Sequence, residues 1–173
     1  MFHNFLTSAR AATMNRRNML RGASIAAAGL ALLAGTAQAQ SPADIDAIKA
    51  ANQAFYAALS ARDVKVMGPL WADKPYVVNI GPRSKVISVG YADAVIKWAT
   101  SLPENFLELK AEMTSVVQVQ TDGKLAWVVG TEKATGKNKA GEAFTFETFA
   151  TNVFEKDGAK WLMVSHHAQI QPK

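Results

Sequence analysis

The amino-acid sequence predicts an α+β fold, in which one curved antiparallel sheet carries helices folded over one face. Three observations point there. Apolar residues between positions 45 and 59 recur at helical spacing, and from residue 107 onward the apolar period drops to two. Turn signals then divide the remaining chain into long strands: Asp122-Gly123, the loop 136–141 and Asp157-Gly158.

The first helix opens at Ser41, a good N-cap, with Pro42 at the first helical position and Asp44 placed for a capping box. Ile45, Ile48, Ala51, Phe55, Ala58 and Leu59 make its apolar face. Ser60 to Asp63 close it, and Asp63 caps a short second helix reaching Leu70, which Gly68-Pro69 breaks or kinks. A short strand covers Tyr76 to Ile80. The third helix spans Tyr91 to Leu102, with Pro103 ending it. Leu107, Leu109, Ala111 and Met113 then alternate with Glu108, Lys110 and Glu112 as a half-buried strand. Strands over Leu125 to Lys133, Phe144 to Glu155 and Lys160 to Ile170 complete an antiparallel meander. A single sheet with the helices over one face buries both apolar sets.

The N-terminal segment has a different character. Arg16-Arg17 precede an alanine-rich apolar stretch, Ala23 to Leu33, and the small-x-small site Ala37-Gln38-Ala39. Positive, apolar and small-residue regions in that order make a secretory signal, and the arginine pair directs it to the twin-arginine route. Residues 1–39 are thus expected to be a signal peptide cut after Ala39, leaving a periplasmic domain at 40–173; a plain disordered tail is the alternative. Met14 is an alternative initiator, since the thirteen residues before it add nothing the signal requires. The apolar stretch falls short of the about 20 residues a spanning helix needs, so no stable membrane insertion is expected after cleavage. No cysteine follows it to take a lipid.

Cleavage also changes the electrostatics. Residues 1–39 hold Arg10, Arg16, Arg17 and Arg21 and no acid, so the remaining 134 residues carry 15 basic and 14 acidic side chains, net +1. The basicity of the whole chain belongs to the signal, which disfavours nucleic acid as a partner. A domain of this size buries a core without staples, and with no cysteine its stability rests on packing.

The order of elements resembles the nuclear transport factor 2-like (cystatin-like) superfamily, and within it the SnoaL-like and ketosteroid isomerase-like proteins. The residues that carry the resemblance are Phe55-Tyr56-Ala57-Ala58-Leu59-Ser60-Ala61-Arg62-Asp63 and Leu70-Trp71-Ala72-Asp73 at the front. At the end they are Thr151-Asn152-Val153-Phe154-Glu155-Lys156-Asp157-Gly158, running into Trp161-Leu162-Met163-Val164-Ser165-His166-His167-Ala168. The resemblance covers the whole domain and implies a cone: the curved sheet wraps a pocket that the N-terminal helices close. It also implies a homodimer through the outer face of the sheet. The tyrosine and aspartate that ketosteroid isomerases use fall at Phe55 and Asn79 in an ungapped alignment, with Tyr56 one position along. Phenylalanine cannot donate to an oxyanion and an amide cannot take a proton, so that mechanism is not inherited.

His166 and His167 are adjacent in a strand and so point to opposite faces. Trp161, Met163, Ser165 and His167 share one face by alternation. His167 also falls where the resemblance places a late histidine, so it is expected in the pocket as a general acid or base, and His166 on the outer face. A structural histidine is the plainer reading of His167. Tyr56, Trp71, Asn79, Trp98, Trp127, Thr151 and His167 are the expected ligand-binding residues, suited to a small hydrophobic molecule; an ordinary aromatic core is the alternative for each aromatic. No metal site and no cofactor are expected, because two divergent histidines and scattered carboxylates supply no ligand cluster. The sequence also lacks a nucleophile elbow and a phosphate-binding glycine loop.

Three functions fit. The first is an exported binding protein with an apolar pocket and weak acid–base chemistry at His167. The second is a metal-independent isomerase, cyclase or dehydratase acting on a small carbonyl compound. The third is a non-catalytic dimerisation or accessory domain. The polar content of the cavity separates them: two or more convergent ionisable groups favour the enzyme, one favours the binder, and a filled cone favours the third.

Overall fold

A computed structural model describes residues 41–172. The signal segment expected at 1–39, and its cleavage point, lie outside the described residues. Helix α1 spans Pro42–Ala61 and ends where Arg62 enters the left-handed region at φ 57°, its N–H returning to the carbonyls of Ala58 and Leu59. The Ser41 side chain makes no capping bond, and Asp44 forms no capping box. Asp44 instead accepts from Lys156 Nζ at 2.6 Å and from Trp161 Nε1 at 3.3 Å, which ties the start of α1 to the sheet. Asp63 caps the short α2, Val64–Met67, by accepting from Lys65 N–H. A 3-10 turn over Gly68–Leu70 then replaces α-helix at Pro69, as the ring's steric demands require.

The strands are β1 (Val78–Ile80), β2 (Ser88–Val89), β3 (Phe106–Thr121), β4 (Leu125–Asn138), β5 (Ala143–Asp157) and β6 (Lys160–Ile170). They form one sheet in the order β2-β1-β6-β5-β4-β3. Strands β3 to β6 are the expected meander. Strand β1 joins its edge parallel to β6, and β2, not foreseen from sequence, pairs antiparallel with β1. This is the mixed α+β fold, one curved sheet with N-terminal helices, that the element order predicts.

Several boundaries depart from expectation, and β1 begins at Val78 rather than Tyr76. A wide π-type turn over Ala92–Lys97 leads into α3, Trp98–Asn105, which contains Pro103 rather than ending before it. Pro103 sits two residues from the helix end, so its missing N–H removes one backbone bond, and Phe106 N–H still reaches the Leu102 carbonyl. Gly136, expected in a loop, lies inside β4. The real turn is shorter, and Asn138 closes it through two side-chain hydrogen bonds and one backbone hydrogen bond with Glu142.

Sheet curvature has a local cause. Strand β3 carries bulges at 106/108, 113/115 and 116/118, where an extra residue bends and twists the strand. A bulge also turns Leu107 outward, although alternation from Leu109 would bury it; Phe106 takes the inner place. Opposite these bends β4 has Gly130 and Gly136. A Cβ on Gly130 would collide with the Ser115 carbonyl, and one on Gly136 with that of Glu108.

The concave side is filled around Phe55, which is fully buried. Its ring lies 5.1 Å from Tyr56, 6.1 Å from Trp71, 6.3 Å from Trp98 and 5.0 Å from His166. Among the described residues no helix is long and apolar enough to cross a membrane.

Replacing Gly130 with valine should lower stability by about 2–3 kcal/mol, the cost of forcing atoms into a packed site. Urea unfolding checks this. An unchanged midpoint would mean that β3 moves away freely, and that the close approach is not what bends the sheet.

Candidate active site

The cavity is positioned by a defect in β6. Val153 pairs with Ser165, but the next residue, Phe154, pairs with Met163, so Val164 is an extra residue with no partner. Alternation therefore slips by one. Trp161 and Met163 face inward as expected, but past the bulge the inward residues are His166 and Ala168. His167 is exposed on the outer face beside Thr151, its register partner. The expected placement is thus reversed: His166, not His167, faces the cavity. The period-two argument assumed an unbroken strand, and one inserted residue exchanges the faces.

His166 is the end of a buried polar network. Its Nδ1 lies 2.7 Å from Asn152 Oδ1. Asn152 Nδ2 donates to Asn52 Oδ1 at 2.7 Å and to the Tyr56 hydroxyl at 3.2 Å. Tyr56 in turn donates to Glu132 Oε2 at 2.8 Å, and Asn52 Nδ2 reaches the Met113 sulfur at 3.4 Å. These bonds set one another's direction. With the Asn152 amide nitrogen donating twice, its oxygen accepts, so His166 Nδ1 carries the proton and Nε2 keeps its lone pair. Burial lowers the His166 pKa below the ordinary histidine value of 6.5; the Glu132 charge opposes that shift and His167 adds to it. Burial also raises the Tyr56 hydroxyl well above the phenol range, with the Glu132 carboxylate adding to the effect. At neutral pH the pair is thus a neutral imidazole and a phenol that stays protonated.

His166 and Glu132 line one cavity of about 470 Å³ between the sheet and α3. Its walls are mostly apolar, with Leu59, Trp98 and Leu102 from the helices and an aromatic run of Phe106, Phe144 and Phe146 from the sheet, and Arg83, Ser84, Ser101 and Asn105 as further polar groups. Ring centroids along that run are 5.4 and 5.7 Å apart. A second hollow, of about 310 Å³, lies between α1 and β3 and is lined by Asn52 and Tyr56 from the other side of the network.

The other expected ligand residues divide. Trp98 lines the large cavity. Tyr56 stands behind it, holding Glu132. Trp71 is buried in the core against Phe55 and Trp98, with no hydrogen-bond partner for its indole nitrogen. Asn79 is buried beside His166 in register and donates to the Ala94 carbonyl; its Oδ1 has no partner. Trp127 and Thr151 face outward, because odd-numbered positions of β4 and β5 lie on the convex side. Among the described residues no cluster of three metal-ligating side chains occurs.

Glu132, Asn152 and Asn52 were not singled out from sequence, yet each leaves a signal there. Glu132 interrupts the inward series Ala126, Val128, Gly130 and Ala134; Asn152 sits between Ala150 and Phe154; Asn52 lies on the apolar face of α1. A polar residue in a buried apolar register needs a partner.

Fold and site together define an α+β domain whose curved sheet carries a buried polar network, with His166 and Glu132 lining a largely apolar cavity. The chain belongs to the SnoaL-like domain family, whose model matches residues 48–170. Comparison with curated proteins gives no match. Solved structures with the same fold include a nuclear transport factor 2-like protein from Streptomyces avermitilis, provisionally named a dehydratase. It is 25% identical at a TM-score of 0.66, over 75% of this chain and 98% of that one. A protein from Thiobacillus denitrificans, provisionally named a calcium/calmodulin-dependent protein kinase type II association domain, is 26% identical at a TM-score of 0.60, over 72% and 94%. A ketosteroid isomerase-like protein from Erwinia carotovora is 21% identical at a TM-score of 0.62, over 75% and 98%.

The buried histidine should make stability pH-dependent with a definite sign. Its native pKa is depressed, so the unfolded chain binds the proton first as pH falls. Its contribution is complete above the unfolded value of 6.5 and is lost as pH drops below it. The melting temperature should therefore fall more steeply in the wild type than in His166→Gln between about pH 7 and 5. Equal slopes would mean that folding leaves the His166 pKa at its unfolded value, and a shallower wild-type slope that the folded protein holds His166 protonated.

Proposed function

We propose that this protein is an exported, metal-independent enzyme that moves a proton on a small hydrophobic carbonyl compound, as an isomerase or dehydratase does. The observation that carries this reading is the convergence of two ionisable side chains, His166 and Glu132, on one apolar cavity. A simple binding pocket does not need that pair, and a filled cone leaves no room for it. The Streptomyces avermitilis relative provisionally named a dehydratase agrees with the class.

In this reading His166 Nε2 is the general base, because a depressed pKa leaves it unprotonated at neutral pH. It takes a proton from carbon next to the substrate carbonyl. Glu132 stabilises the imidazolium that forms, and Tyr56 holds Glu132 in place. The imidazolium then returns its proton to another carbon, giving an isomer, or to a departing hydroxyl, giving water and an alkene. Asn152 fixes the tautomer throughout.

Deuterium exchange tests this directly. The chain beginning at Gln40, incubated in heavy water with a panel of small unsaturated ketones, should exchange their acidic C–H positions. His166→Gln should slow exchange by about 100-fold or more, and His167→Gln should not. Binding without exchange would leave a carrier rather than an enzyme.

Export and assembly belong to the same proposal. The outer sheet face carries Trp127, 41% exposed, and Phe149, 55% exposed, with His167 and Thr151 between β5 and β6. Burying that face against a second copy gives a symmetric dimer. Protein recovered from the periplasm should start at Gln40 and scatter light as a particle of about 28–30 kDa, twice the size of the domain. Precursor retained in the cytoplasm would count against export, and a monomer against the dimer.

A further inference from the structure

We propose that Arg83 forms a carboxylate subsite at the mouth of the cavity, so that the ligand is a flat, apolar molecule bearing a carboxylate. This rests on the reading of the cavity as a ligand site and names the class it takes. Arg83 is exposed in the segment after β1, yet it lines the cavity together with Ser84. Its guanidinium carbon lies 4.9 Å above the Phe146 ring, at one end of the aromatic run. The presentation is built into the loop. Ser84 N–H donates to the Gly81 carbonyl at 3.0 Å, Gly81 N–H donates to Ser84 Oγ at 2.9 Å, and Pro82 restricts the backbone between them.

Beyond its stacking on Phe146, this cation has no charged partner: among the described residues no carboxylate lies within ion-pair distance of Arg83. Nor does any described acceptor take one of its hydrogen bonds. A planar guanidinium with free donors matches a carboxylate in two parallel hydrogen bonds. A phosphate dianion would call for a second cation, and no lysine and no other arginine lines the cavity. Strand register sets Phe146 opposite Ala134, one inward position from the Glu132–Thr148 pair and one from the Gly136–Phe144 pair. The carboxylate is held at Arg83, the flat body lies against Phe146, and the uncharged end extends along the cavity toward His166.

Binding of 2-naphthoate and of its neutral isostere 2-naphthamide, read by quenching of tryptophan fluorescence and by calorimetry, tests the proposal. Wild-type protein should bind the acid about tenfold or more tightly than the amide, a difference expected of one charge-assisted pair. Arg83→Gln should bring the two to parity, whereas Lys85→Gln, a neighbouring cation that does not line the cavity, should keep the preference. Equal binding of acid and amide by the wild type, or a preference that survives Arg83→Gln, would overturn the subsite and leave the cavity reading standing. Binding of neither probe would overturn both.

Discussion

Asn152 is the residue on which the interior depends. Fully buried in the middle of β5, its side-chain amide must find partners inside the protein or carry a desolvation cost of about 1–3 kcal/mol. The partners come from three other elements: Asn52 and Tyr56 on α1, His166 on β6 and, through Tyr56, Glu132 on β4. Hydrophobic burial presses the helix onto the sheet, but apolar contact has little directional preference. The amide network supplies that direction. It fixes how α1 is rotated over the sheet, and it decides which imidazole nitrogen carries a proton.

That need for partners links stability to chemistry. A histidine buried next to Phe55 with a ring free to turn would present either nitrogen to the cavity. Asn152 removes the choice by accepting from Nδ1. Glu132 is held in the same way by Tyr56, whose raised pKa keeps it a donor. The cavity exists because the sheet bends away from α3, and it bends because three bulges in β3 lie against glycines in β4. Curvature and polar network therefore act on different parts of one site, the first making the space and the second aiming the groups within it.

The two faces of the sheet have separate tasks. The concave face carries the buried network and the aromatic run. The convex face carries exposed Trp127 and Phe149, with Thr151 and its register partner His167 on the adjoining β5 and β6. The bulge at Val164 assigns the two adjacent histidines to these faces.

The sequence by itself determined the class of fold, the helix-then-meander order, the capped break between α1 and α2, and the family. Each of these rests on local periodicity or turn chemistry, which a short window of residues contains. Helical spacing in 45–59 and the turns at Asp122-Gly123 and Asp157-Gly158 needed no distant partner to be read. Only the tertiary structure decided which histidine faces inward, because a bulge is set by how β6 pairs with β5 on one side and with β1 on the other. The same holds for the pairing of Asn52 with Asn152, 100 residues apart, and of Tyr56 with Glu132, 76 residues apart. A buried polar residue announces in the sequence that it needs a partner. Which partner it finds is decided where separate elements pack together.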